Sequence, residues 1–365
     1  MTKLDIVYCQ ICALIKTWFI QGIKKMEKQV DVLIIGAGIS GIGLAVHLSK
    51  NCPQRQFEIL ERRDSFGGTW DLFRYPGIRS DSDMSTFGFN FKPWAKEKVL
   101  ASGPEIKGYL GEVISENKLK EKIHFGHRVL SANYDSAKKK WLVEIEDNNK
   151  KKQTWSANFV MGCTGYYNYD QGYAPQFQDQ DKFKGQFIHP QHWPENLDYK
   201  GKKVVIIGSG ATAITLVPSM VKGGAGHVTM LQRSPTYIAT VPSIDFIYEK
   251  TRRFMSEETA YKFTRARNID MQRAIYALAQ KHPKTVRRLL LKGIELQLKG
   301  KVDIKHFTPS YNPWDQRLCV VPDGDLFKAL REGQASIETD QIEKFTANGI
   351  QLKSGKHLEA DIVIS

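Results

Sequence analysis

Residues 30–41 read VDVLIIGAGISG. Val30 to Ile35 form a nearly continuous apolar run, the mark of a parallel strand buried on both faces. The run leads into Gly36-Ala37-Gly38-Ile39-Ser40-Gly41, a GxGxxG pattern. A helix is expected to follow through Leu44, Val46 and Leu48, and a second strand over Phe57-Glu58-Ile59-Leu60 ends at Glu61. Strand, glycine turn, helix, strand and a terminal acid at this spacing predict a βαβ unit that binds a dinucleotide. Its pyrophosphate lies on the helix N-terminus and its ribose hydroxyls donate to the acid.

The pattern recurs at residues 203–208, KVVIIG, followed by Gly208-Ser209-Gly210-Ala211-Thr212-Ala213, a helix through Leu216 and a strand over Val228-Thr229-Met230-Leu231. The second strand ends differently. Gln232 stands where the first unit has its acid, and Arg233 and Ser234 follow with a guanidinium and a hydroxyl suited to a ribose 2′-phosphate. Two glycine-rich units with opposite end chemistry imply two different dinucleotides on one chain, and FAD with NADPH is the natural pair. The fold class expected is therefore α/β, with two Rossmann-like dinucleotide-binding domains. The expected division is an N-terminal extension over 1–25, an FAD-binding domain over 26–170, a linker over 171–200 and an NADPH-binding domain over 201–365. A helical insertion is expected in the last domain at about 245–307.

At 365 residues, with 41% hydrophobic and 25% charged side chains, the chain has the composition of a soluble globular enzyme of two or three domains. Cys9, Cys12, Cys52, Cys163 and Cys319 are an odd, scattered set, which argues for a reducing compartment and against a disulfide framework. Cys9 and Cys12 form a CxxC that no second pair completes, so no metal is expected. Residues 1–25 are too polar for a membrane span and lack a signal-peptide cleavage pattern, and they read as an extension ahead of Met26. The cytoplasm is the expected location, with the inner face of the cell membrane as the alternative.

Of the net charge of +14, much lies between Glu249 and Lys305, where 15 Lys/Arg face 6 Asp/Glu. Phe254, Ile275, Leu278, Leu289, Leu290 and Ile294 recur there at helical spacing, which predicts amphipathic helices with basic outer faces. A solvated surface is the first reading, and attraction of an anionic cofactor or of acidic lipid in a peripheral membrane contact is the second. No recognised nucleic-acid-binding module accompanies the charge, so no nucleic acid is expected.

Between the two glycine units lies FKGQFIHPQHWP, residues 183–194, which matches the FxGxxxHxxxWP pattern of Baeyer–Villiger monooxygenases. Residues 67–81, GGTWDLFRYPGIRSD, carry a second pattern of that family. From about Val30 to Ser365 the chain resembles class B flavin monooxygenases of the Baeyer–Villiger type, and most of all the ethionamide-activating subgroup. The resemblance implies a monooxygenase that inserts one oxygen of O₂ into a ketone, or adds it to the sulfur of a thioamide or sulfide, through a C4a-peroxyflavin. It implies Arg317 as the active-site cation, Asp81 as the carboxylate that orients it, and His189 and Trp193 as motif residues of the coupling linker. For FAD it implies Gly36, Gly38, Ser40, Gly41, Glu61, Thr69, Trp70, Asp71 and Leu72, with Val129 as a backbone contact to the adenine. Arg79, Ser80 and Asp81 are implied near the nicotinamide. For NADPH it implies Gly208, Ser209, Gly210, Ala211, Thr212, Ala213, Ile214, Gln232, Arg233 and Ser234. One departure is Gln316, where many members have a lysine that reinforces 2′-phosphate binding. Read from the residues alone, His189 and Trp193 equally suit interdomain packing.

Residues 357–365, HLEADIVIS, repeat the polar lead and apolar strand of residues 156–164, SANFVMGCT, but stop where the earlier copy reaches its glycine turn. The resemblance therefore implies that the family's C-terminal portion is lacking, with impaired flavin binding as the expected consequence. The alternatives to an active monooxygenase are a nucleotide-binding remnant and an uncoupled NADPH oxidase.

Overall fold

The computed structural model describes residues 28–94, 96–316 and 318–365. The chain divides into two compact units. The first comprises described residues up to Gly68 together with Tyr109–Tyr166, and the second comprises Thr69–Gly108 with Tyr167–Ser365.

Unit 1 begins with β1 (Lys28–Ile35), the apolar run, which is followed by α1 (Ile39–Asn51) and β2 (Phe57–Leu60). The chain then contributes α2 (Thr69–Leu72) and α3 (Met84–Phe87) to unit 2 and passes back along α4 (Gly103–Glu116). Strands β3 (Ile123–His124), β4 (Arg128–Asp135), β5 (Lys140–Glu146) and β6 (Lys152–Gly162) complete one sheet in the order β3-β2-β1-β6-β5-β4. β1 is parallel to both neighbours, with Ile34 opposite Ile59 on one side and Met161 on the other. Leu33 and Ile34 are buried completely, which is why this strand reads as an unbroken apolar run rather than an alternating one. β4, β5 and β6 form an antiparallel meander whose Val143, Ile145 and Trp155 pack with Leu33 and Leu60.

Unit 2 repeats the arrangement around its own glycine strand. β7 (Gln186–Ile188), β8 (Lys203–Ile207) and β9 (His227–Gln232) surround α5 (Ala211–Lys222) in sequence. Beyond them come β10 (Tyr237–Val241), α6 (Phe246–Thr251), α7 (Glu257–Lys281), α8 (Pro283–Leu298), β11 (Leu318–Pro322) and α9 (Asp325–Arg331). The chain continues through β12 (Ala335–Thr339), β13 (Ile342–Thr346), β14 (Gly349–Leu352), β15 (His357–Glu359) and β16 (Ile362–Ile364). The main sheet has the order β12-β9-β8-β16-β7, all parallel. Thus β16 stands beside β8 as β6 stands beside β1, and the repeat between residues 156–164 and 357–365 is a repeat of strand position. The core of this unit gathers Ile206, Leu216, Met230, Phe307 and Phe327.

The helical segment forms, but its apolar residues do not all face the core. Ile294 is buried, whereas Phe254 is 88% and Leu289 63% exposed, and Ile275 and Leu278 are exposed as well. The buried face of α7 runs through Ala260, Tyr261, Thr264 and Asn268. Helical spacing carries that stripe on to Met271 and Ile275, but residues 270–278 are exposed, with Gln272 donating to Asp83 and Tyr276 edge-on to Trp314, before Ala279 is buried again. The expectation of an apolar inner face over the whole segment is therefore corrected: between Asn268 and Ala279 the apolar side chains of α7 stay exposed. In the N-terminal half of α7, Arg265 donates to the carbonyls of Ser85, Thr86 and Gly88, and Tyr261 Oη to that of Ser85. No helix of the described residues is long and apolar enough to cross a membrane.

Candidate cofactor and active site

In unit 1 the glycine loop is shaped by close backbone approach. A Cβ at Gly36, whose φ is +108°, would lie 2.5 Å from the Cys163 carbonyl oxygen, and one at Gly41 would lie 1.9 Å from that of Gly36. At Gly38 a Cβ would meet, beyond its chain neighbours, nothing nearer than the Gly68 Cα at 3.6 Å. The first and third glycines are thus required by the fold itself, while the second leaves room for a ligand to approach the backbone. Gly38 caps α1 with no side-chain hydrogen bond, so the first N–H groups of that helix are left for an anion. Ser40 is exposed in that first turn.

Glu61 is buried at the end of β2, with Oε2 accepting from the Ala37 N–H at 2.8 Å and Oε1 from the Arg63 N–H at 3.0 Å. The sequence places this acid for a ribose, but not its second task of tying the glycine loop to the strand end. A carboxylate has lone pairs for both. Val129 lies on the edge strand β4, paired with Ile145 and next to an irregularity in register. These residues fit an adenine dinucleotide: a bare helix N-terminus, an open second glycine and an acid at the strand end.

In unit 2 the second loop is more open. A Cβ at Gly210 would meet nothing within 4 Å, and one at Gly208, φ +134°, would meet only the Ala213 methyl at 4.0 Å. Gly210 caps α5 without a side-chain bond, which again leaves helix N–H groups for phosphate. Ala213 and Ile214 are buried, so they can offer a ligand only backbone groups. The Thr212 hydroxyl bonds the buried Tyr75, whose phenol is pushed above its usual range by burial. Ser209 is buried too, its Oγ 2.9 Å from Thr236 Oγ1 and donating to the Ser234 carbonyl at 3.2 Å, so it holds the loop after β9 rather than reaching outward. Gln232, 2% exposed, donates through Nε2 to the His306 carbonyl at 2.7 Å and to Thr339 Oγ1 at 2.8 Å. Its amide hydrogens are thereby taken, and Arg233 and Ser234 are the exposed pair at this strand end.

The segment after the first glycine unit is built around ion pairs. Asp71 in α2 is buried and paired with Lys107, with Arg74 at 3.8 Å. Trp70 and Lys107, with Arg74, Tyr75 and Ile78, line a recess of about 590 Å³. Thr69 and Leu72 are partly buried at the two ends of the same single-turn helix. Arg79 donates through Nη1 to Asp325 Oδ2 at 2.9 Å, and its buried Nη2 has no partner among the described residues. Burial pushes the Asp325 carboxyl up against the pull of Arg79. Asp325 was not legible as a site residue, although the turn Gly324, at φ +68°, followed by an acid at the first position of α9 is a signal of a fixed carboxylate. Ser80 is buried, its Oγ donating to the Ser82 carbonyl and accepting from the Ser82 N–H. Asp81 is exposed.

His189 caps the short 3₁₀ turn Pro190–His192, with Nδ1 accepting from the Gln191 N–H at 3.1 Å. Burial lowers its pKa, which keeps Nδ1 an acceptor. Its ring fills the place where a side chain at residue 172 would stand, and Trp193 packs on the unit 2 core. Both therefore have packing roles, and among the described residues no hydrogen bond joins Asp81, His189 and Trp193. Arg317, like Cys9, Cys12 and the 1–25 extension, lies outside the described residues. Among the described residues, Cys52, Cys163 and Cys319 form no disulfide.

Comparison with known proteins bears on this arrangement directly. Residues 33–289 match the family model for pyridine nucleotide-disulphide oxidoreductases. The chain is 94% identical over 340 residues to an Acinetobacter protein named Probable FAD-binding monooxygenase AlmA, covering 93% of this chain and 68% of that protein. It is 53% identical over 341 residues to the FAD-containing monooxygenase EthA of Mycolicibacterium smegmatis, covering 93% of this chain and 69% of that one. Among solved structures it resembles a steroid monooxygenase bound to NADP, with TM-score 0.74, 22% identity and 92% and 71% of the two chains covered. Cyclohexanone monooxygenase with bound ε-caprolactone gives TM-score 0.74 at 21% identity, over 92% and 73%. By fold, by two glycine units of the kind described and by sequence identity over most of its length, the chain belongs to the FAD-containing monooxygenases.

Proposed function

We propose that the protein is an FAD- and NADPH-dependent monooxygenase of the Baeyer–Villiger type, which oxygenates a ketone to an ester or the sulfur of a thioamide or sulfide. The carrying observation is the difference between the two strand ends: a buried carboxylate, Glu61, in one unit and an exposed Arg233-Ser234 pair in the other. The carboxylate suits free ribose hydroxyls and the guanidinium a 2′-phosphate. In this reading FAD lies on Gly36, Gly38, Ser40, Gly41 and Glu61, and NADPH on the loop from Gly208 to Ile214 with Arg233 and Ser234. The domain assignment is residues 26–170 for FAD and 201–365 for NADPH, with 171–200 between them.

When bound, reduced flavin supplies the activation of O₂. The chain's own task is to hold a fixed cation where negative charge develops, because a preorganised charge needs no reorganisation during the reaction. Arg317 takes this role and Asp81 orients it, and the Arg79–Asp325 pair provides a second anchored guanidinium in unit 2. The exposed apolar side chains on basic α6–α8 support a peripheral contact with acidic lipid as well.

The test measures NADPH consumption and product together. Supplied with FAD, the protein is expected to consume NADPH faster on addition of a ketone or thioether, with one ester or sulfoxide formed per NADPH. NADPH consumption that yields only hydrogen peroxide would make it an oxidase, and failure to retain either nucleotide would reject the reading.

A further inference from the structure

We infer that a cationic recess on α8 binds the 2′-phosphate of the second dinucleotide, with Lys284, Arg287 and Arg288 replacing the lysine that this chain lacks at Gln316. The inference rests on the NADPH reading above and adds to it a set of residues from a different element.

The recess measures about 370 Å³, and Lys284, Arg287, Arg288 and Lys292 line it from one face of α8. Glu295 is the acid in its lining and lies 3.6 Å from Lys292, so the other three cations face the recess without an acid of their own in its wall. Like charges gathered around one recess repel, and an anion between them offsets that repulsion.

The position of the recess indicates which anion. Ile304 and Thr308, which also line it, flank His306 in the chain, and the His306 carbonyl is the acceptor of Gln232 at the end of β9. That strand end is where the ribose of a dinucleotide lies in such a fold. Arg287 is fixed between the same two stretches. Its Nη1 donates to Tyr237 Oη at 2.8 Å, four residues beyond Arg233, and to the Tyr311 carbonyl at 3.1 Å, five residues before Gln316. Tyr237 Oη itself donates to the Tyr311 carbonyl at 2.8 Å, which locks the arrangement. The guanidinium is thus tied to β10, which follows Arg233 and Ser234 in the chain, and to the stretch that leads to Gln316.

The experiment is calorimetric titration of the full chain with adenosine 2′,5′-bisphosphate and with 5′-ADP, which lacks the 2′-phosphate. Lys284→Glu and Arg288→Glu are each expected to weaken the bisphosphate about tenfold or more and 5′-ADP less than about twofold. Arg287→Lys, which keeps the charge but loses the fork held by Tyr237 and Tyr311, is expected to weaken the bisphosphate by a smaller factor. Arg273→Glu, an equal charge reversal on α7 away from the recess, should change neither. If Arg233→Ala weakens the bisphosphate while the α8 variants do not, the recess assignment is overturned and the NADPH reading stands. If the parent protein does not distinguish the two nucleotides, both fall. Inorganic phosphate or anionic vesicles whose binding depends on Arg288, with the bisphosphate indifferent to it, would give the recess to another anion and overturn the inference.

Discussion

At Gly41 a methyl group would sit 1.9 Å from the Gly36 carbonyl oxygen, whereas the matching position of the second loop is Ala213, whose methyl stands 4.0 Å from a Cβ built on Gly208. Unit 1 closes its loop by bringing helix and strand backbones together and ties it with a carboxylate to the Ala37 N–H. Unit 2 leaves space for a methyl and ties its loop with neutral side chains, Ser209 to Thr236 and Gln232 to Thr339. Similar sequence patterns thus carry different mechanical demands. The strand-end residue that distinguishes the ligands, Glu61 or Gln232, is in both units also part of the scaffold.

The largest effect that would sharpen this contrast is expected at the third position. Gly41→Ala forces backbone against backbone and should destabilise unit 1 by about 3 kcal/mol or more, with loss of flavin retention. Ala213→Gly removes one buried methyl group and some helix propensity and should cost less, about 1–2 kcal/mol. Urea unfolding of the two variants checks both values, and equal losses would break the comparison.

Next in size is Gln232→Glu, which gives unit 2 the acid of unit 1. The carboxylate would face the His306 carbonyl, an acceptor, in a site with almost no solvent access. A loss of about 2–3 kcal/mol in unfolding free energy is expected, rather than a switch towards NADH. A stable variant with improved NADH binding would show that Gln232 is not a scaffold residue.

Ser209→Ala removes the hydroxyl that holds the loop after β9 and should cost about 1 kcal/mol, with weaker NADPH binding and no change in flavin retention. Unchanged NADPH binding would mean that the 234–236 loop keeps its place without Ser209.

The smallest effect is a pH dependence of unit 2. Burial lowers the pKa of His189, His227 and His306 below the ordinary 6.5. The unfolded chain therefore takes up these protons first. The contribution of the neutral imidazoles is complete above pH 6.5 and is lost as pH falls through their lowered values. His306→Gln should flatten that loss in denaturation midpoints measured from pH 7.5 to 5, and an unchanged slope would remove His306 from the linkage.

Much of the framework of the proposed site was legible because glycine turns and buried parallel strands leave local signatures. Gly36, Gly38, Gly41 and Glu61 follow from spacing alone, as do Gly208, Gly210, Arg233 and Ser234. Asp325 was not legible, since its partner Arg79 lies 246 residues away and ion pairs have no periodicity. The packing roles of His189 and Trp193 were legible only as one of two alternatives, because a motif records residue identity and not what the side chain touches. The helical segment misled for a related reason. Spacing identifies an apolar stripe, but burial depends on whether another element meets it, and between Asn268 and Ala279 the side chains of α7 stay exposed.

Sequence by itself determined the two βαβ units, their strand ends and the difference in charge between them, since each is written in residues within about 30 positions of one another. Only the tertiary structure decided that residues 69–108 take their contacts in unit 2, that β16 stands beside β8, and that the cations of α8 line one recess with Ile304 and Thr308. Those facts depend on which distant surfaces pack together, and that is settled by shape and burial over the whole chain rather than by any local pattern.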